Sequence, residues 1–158
     1  MNNLNYETLL QEASDHDVYV IENAPFESDA KGLIKDDVIG LNQTLSSSAE
    51  KACVLAEELG HYHTSVGNIV NTKDISNAKQ EYIARMWSYN KMIGLQGIIE
   101  AYKHKCTSKH DMAEFLNVTE DFLDEAIRAY THKYGMCTQI DNYIIFFTPN
   151  LGIMEMII

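Results

Sequence analysis

The sequence is short of positive charge. Twelve lysines and arginines stand against 23 aspartates and glutamates, giving a formal net charge of −11. A phosphate backbone repels such a balance, which argues against nucleic acid as the main partner unless a local basic patch overturns it. Cysteine is scarce as well. Cys53, Cys106 and Cys137 are odd in number and no two stand in a C-x-x-C spacing, which speaks for reduced thiols and against a disulfide framework. No apolar run approaches the roughly 20 residues of a membrane span. The opening MNNLNYETLLQEASDHD lacks the basic and apolar regions of a signal peptide. Repeats and low-complexity stretches are also missing. These absences predict a soluble cytoplasmic protein. What is present is enough for a real core: 46% of the 158 residues are hydrophobic and 22% charged, which excludes wholesale disorder.

The apolar pattern predicts an α+β fold. Asn5 to Ser14 reads as a helix, and Val18–Ile21 as a strand. Pro25 falls in a loop, and GLIKDDVIGLN, residues 32–42, gives two short strands around Asp36-Asp37. The quarter is expected to be a helix followed by a small antiparallel sheet. Ser47 with Glu50 fits a capping box that opens a helix through His63, with an exit at Val66-Gly67. A second helical segment is predicted from Asn77 to Lys105. It is apolar around much of its circumference and so central to the core, with Gly94 and Gly97 allowing close packing or a bend. Residues 107–135 have helix-turn-helix spacing, with Thr119 as N-cap. The apolar tail from Tyr143 reads as a hairpin that packs on the body or on a partner. The expected organisation is a core over residues 1–105, with a helical unit and hairpin over residues 106–158 packed on it.

The chemistry concentrates in VLAEELGHYHTSVG, residues 54–67. Glu57 and His61 are four apart and share a helix face, so both can reach one metal ion. Glu58, rotated by about 100°, stands where an H-E-x-x-H helix carries the general base that takes a proton from water. Glu81, at the start of the next helix, supplies a third ligand of the kind found in His2Glu zinc sites. Ala84, one turn on, and Gly60 are small enough to let the two helices approach.

EELGH, followed at this spacing by E-x-x-A-x-x-W-S (Glu81 to Ser88), resembles the ImmA/IrrE family of intracellular metallopeptidases. The likeness extends through KQEYIARMWSYNKMI and AEFLNVTEDFLDEAIRAYTHKYG and covers about residues 18 to 135. It implies a zincin-like core of a small sheet and active-site helices, with Glu58 as catalytic base and His61 and Glu81 as metal ligands. The first ligand position falls on Glu57, where the family pattern has histidine. A second carboxylate brings a divalent ion from a formal +1 to zero, which weakens its Lewis acidity. Zinc remains the first expectation, with manganese or iron plausible because carboxylates are harder ligands. His63 cannot replace the missing histidine while the helix stays regular, since residues two apart face apart. The resemblance further implies a protein substrate, a helix-turn-helix repressor of a prophage or mobile element, cleaved to relieve repression. The alternative is an anti-repressor that keeps the scaffold and binds without cutting.

Two bland readings compete. Cys53 reads as a small core residue, and His16, His104, His110 and His132 as surface or structural. The second helix of the helix-turn-helix segment opens with Glu120, Asp121, Asp124 and Glu125. Residues 107–134 hold six acids against Lys109, Arg128 and Lys133. Such a helix is poorly suited to DNA and better suited to a basic protein partner.

Overall fold

A computed structural model describes residues 4–65 and 77–157. Among these are six helices and two three-stranded sheets, an α+β arrangement. Helix α1 (Tyr6–Asp15) opens on a capping box in which the Asn5 side chain accepts from the Thr8 amide and the Thr8 hydroxyl accepts from the Asn5 amide. Its inward face carries Tyr6, Leu9 and Ala13.

Strands β1 (Tyr19–Ala24), β2 (Gly32–Lys35) and β3 (Val38–Asn42) form the first sheet in the order β1-β3-β2. The expected antiparallel sheet needs correction. β2 and β3 are antiparallel, but β1 runs parallel to β3. The chain leaves β1 through the Pro25 loop and enters the sheet at the far edge, so β3 returns in β1's direction between the two. β3 holds the centre because it buries Ile39 and Leu41. The strand expected to end at Ile21 continues to Ala24.

Helix α2 (Ser48–Ser65) is capped as expected at Ser47, whose hydroxyl accepts from the Glu50 amide at 3.1 Å. The Glu50 carboxylate reaches the Ser46 amide and hydroxyl, so the reciprocal half of the box lands one residue early. The exit at Val66-Gly67 lies outside the described residues. The single helix expected from Asn77 to Lys105 is two, α3 (Asn77–Met92) and α4 (Gly94–Lys103). Gly94 has φ +63°, a left-handed backbone that glycine adopts without penalty, and the helix breaks there. Gly97 serves packing: a Cβ there would crowd Leu116 at 3.3 Å.

Helices α5 (Lys109–Leu116) and α6 (Glu120–Tyr134) join through Asn117, itself left-handed, with Thr119 capping α6 by accepting from the Phe122 amide. The Asn117 amide group also donates to the Leu4 carbonyl at 3.0 Å. The expected C-terminal hairpin gains a strand. β4 (Cys137–Ile140), β5 (Tyr143–Phe146) and β6 (Gly152–Glu155) form an antiparallel meander. β4 was not expected because CTQI is weakly apolar; a tight turn with Asp141 left-handed sets it against β5. Leu151 and Ile153 pack on the core, whereas Met154 and Ile157 stay exposed.

One hydrophobic cluster runs from Tyr6 on α1 to Phe147 after β5, through Leu55 and Leu59 of α2, Met92, Ile98, Leu116, Leu123 and Tyr130. α2 stands between the first sheet and α3, which gives its residues two neighbours to work against. No helix among the described residues is long and apolar enough to cross a membrane.

Candidate metal centre

α2 and α3 approach closely because neither carries a bulky side chain at the crossing. A Cβ on Gly60 would collide with the carbonyl oxygen of Ala84, and Ala84 is itself fully buried. This contact brings the start of α3 over the second half of α2. Glu57, His61 and Glu81 each turn a ligand-capable atom to one point, all within 4.8 Å of one another. His61 Nε2 lies 3.4 Å from Glu81 Oε1. Two ligands of one tetrahedral zinc with bonds of about 2.1 Å stand about 3.4 Å apart, so this pair has ligand spacing, and Glu57 offers a third atom within 4.8 Å of both. One imidazole nitrogen and two carboxylates form a donor set that zinc, manganese and iron all accept. The three residues therefore fit a divalent cation.

Glu58 has different surroundings. Its side chain points between α2 and β2, where Gly32 leaves room: a Cβ on Gly32 would come within 2.8 Å of Glu58 Oε1 and 2.6 Å of Val54 Cγ1. Glu58 is 9% exposed and has no hydrogen bond or ion pair among the described residues. Burial, and then the charges of Glu57 and Glu81, push its carboxyl up to about 7. Desolvation disfavours the charged form, and a carboxylate poised near neutrality is suited to general base work.

Arg85 was not singled out from the sequence. It follows Glu81 by one turn, and its Nε donates to Glu57 Oε1 at 3.4 Å and lies 3.8 Å from Glu81 Oε2. Burial works to lower the guanidinium's hold on its proton, but Glu57, Tyr89, Glu81 and Glu125 outweigh it and raise it above the ordinary value. The i, i+4 spacing of Glu81 and Arg85 was the available signal; the bond to Glu57 across two helices left none.

The other expectations resolve simply. α2 stays helical to Ser65, so His63 faces away from His61's partners. Its ring stacks on Trp87 at 4.8 Å, and its Nε2 lies 3.4 Å from Glu12. Cys53 is buried, and that burial pushes its thiol up to about 11, as suits a core residue. His110 sits in an exposed ion-pair cluster with Glu114 and Glu120, and His104 stacks on Phe115.

Comparison with known families matches residues 4–128 to the IrrE N-terminal-like domain, a peptidase family. The chain belongs to this family. The match spans α1 through most of α6, so the IrrE-like stretch takes in both the convergent Glu57–His61–Glu81 group and the acidic start of α6. No curated protein and no solved structure matches the chain.

Proposed function

We propose that this IrrE-like protein is a metal-dependent endopeptidase in which Glu57, His61 and Glu81 hold a divalent cation, zinc first, and Glu58 is the catalytic base. The observation that carries the reading is the convergence of three ligand atoms within 4.8 Å beside a buried carboxylate that has no hydrogen bond or ion pair among the described residues. The cation, when bound, supplies Lewis-acid polarisation of the peptide carbonyl. Glu58 takes the proton from the attacking water, and its raised affinity lets it hold that proton and return it to the leaving amine. β2 and α6 wall the Glu58 side. The substrate is a helix-turn-helix repressor of a prophage or mobile element, by resemblance and because an acidic protein suits a basic DNA-binding partner.

One observation favours a second reading. Arg85 already neutralises Glu57 and approaches Glu81, which gives the anionic residue at the first ligand position a use that needs no metal. The protein would then inactivate its repressor by binding alone.

Metal analysis of untagged protein, together with incubation against the cognate repressor, separates the two. The endopeptidase reading expects stoichiometric metal lost in His61→Ala and Glu81→Ala. It also expects repressor cut by the wild type and cut about 10²–10⁴-fold more slowly by Glu58→Gln. Repressor left intact yet released from its operator equally by both proteins would sink catalysis.

A further inference from the structure

On the Glu58 side of α2 lies a cavity of about 320 Å³ between α2, β2 and the first turns of α6. Cys53, Val54 and Phe122 make apolar wall, while Glu57, Asp121 and Glu125 put carboxylates on it. The carboxylate of Glu58, buried and without a hydrogen bond or ion pair among the described residues, also faces it. Two cations, Lys31 and Arg85, line the same space, and Arg85 is shared with Glu81 outside it, so carboxylates remain in excess.

α6 divides its acids between two faces. Glu120 and Asp124 turn towards α5, where Lys109 lies 2.9 Å from Asp124 and His110 lies 3.0 Å from Glu120. Asp121 and Glu125, one residue on from each, turn towards the cavity. Asp121 has no hydrogen bond or ion pair among the described residues. Glu125 is steadied by the Tyr89 hydroxyl, which donates to it at 3.3 Å. An apolar wall beside carboxylates matches a side chain with an apolar stem and a cationic head. A guanidinium with several donors answers two carboxylates better than an ammonium does.

We propose that this cavity is a subsite for an arginine side chain of a bound peptide, with Asp121 and Glu125 reading the guanidinium. The subsite rests on the reading of Glu58 as the group that acts on a bound peptide, because it sets the arginine beside the bond to be cut. It narrows the substrate from a basic protein to a chain with a basic residue next to the scissile bond.

The test uses the full chain carrying Glu58→Gln, so that binding is read without cutting. Short fluorescein-labelled peptides, identical except for a central arginine, norleucine or glutamate, are titrated by fluorescence anisotropy at about 0.15 M salt to screen long-range attraction. The arginine peptide is expected to bind about ten-fold tighter than the norleucine peptide, with the glutamate peptide weakest. Adding Asp121→Asn and Glu125→Gln should abolish the preference and leave norleucine affinity unchanged. Glu114→Gln with Glu120→Gln removes as much charge elsewhere and should keep it. Asp121→Asn alone, at a side chain without a hydrogen bond or ion pair among the described residues, should lose part of it and guards against misfolding of the double variant. Equal affinity for arginine and norleucine, no binding of either, or a preference that survives Asp121→Asn with Glu125→Gln overturns the subsite. Cleavage by the wild type without arginine preference overturns it and leaves the peptidase standing. Arginine-selective binding with no hydrolysis does the reverse.

Discussion

Two clusters in this molecule are built from the same residue types and differ in what surrounds them. Glu57, His61 and Glu81 sit where α2 and α3 are pressed together at Gly60 and Ala84, with Glu58 beside them between α2 and β2. Glu114, Glu120, Asp124 and His110 sit on the outer faces of α5 and α6 with Lys109 among them. In the second cluster every carboxylate has a cation at hand and water around it, and the arrangement is that of an ordinary solvated surface. In the first, close packing leaves two carboxylates and an imidazole aimed at one point, and a third carboxylate buried without a hydrogen bond or ion pair among the described residues. Composition does not separate the two clusters; the close packing of α2 against α3 and β2 does.

The comparison breaks most visibly at Glu58. Its carboxyl titrates at about 7 in the folded protein against 4.5 ordinarily, so between these values the folded state holds a proton that the unfolded chain has lost. Glu58's contribution to the stability of the metal-free protein therefore falls as pH rises from about 4.5 through about 7. Glu58→Gln removes that dependence. The stability difference, variant minus wild type, should grow by about 3 kcal/mol between pH 4.5 and pH 8, measured by urea unfolding in chelator. A difference that stays flat with pH would mean the carboxylate is as well solvated as those on α5.

Gly60→Ala comes next. Alanine favours a helix over glycine by about 1 kcal/mol, yet here its methyl meets the Ala84 carbonyl. A net destabilisation of about 1–3 kcal/mol is expected, with a weaker affinity for added zinc by titration calorimetry as Glu81 moves off. A more stable variant with unchanged zinc affinity would show that the helices do not need the gap. Gly32→Ala is a milder wedge, since it meets side chains, and should cost about 1 kcal/mol while displacing Glu58; a pH-independent stability change would argue that Glu58 stays put. Smallest of all is Lys109→Met. It removes the cation from the exposed cluster and should leave the urea midpoint unchanged within error, where a clear drop would make that cluster more than a surface.

How much of this was readable beforehand follows the range of the interactions. Glu57, Glu58 and His61 were legible because their relation is local, fixed by helical period, and Glu81 by its spacing on the next helix. The caps at Ser47 and Thr119 were legible for the same reason. The parallel pairing of β1 with β3 was not, because strand order depends on how α1 and α2 cover one sheet face. The break at Gly94 was half visible: a glycine in an apolar helix signals either contact or bend, and only packing assigns bend to Gly94 and contact to Gly97. Arg85 was invisible in its main role because the bond to Glu57 crosses 28 residues. The split of the α6 acids into a paired face and a cavity face was likewise invisible until α5 and β2 were in place.

The bond from Asn117 to the Leu4 carbonyl, 113 residues apart, has a consequence in time. A chain emerges from the ribosome at about 5–20 residues per second, so α2 and α3 are in the open for several seconds before α6 exists. During that interval Glu57, His61 and Glu81 are already outside, while the wall carrying Asp121 and Glu125 is still unmade. On the proposed reading, every residue that would hold the cation leaves the ribosome before those that would choose a peptide, and the clasp between the chain's beginning and the α5–α6 turn can close only after both.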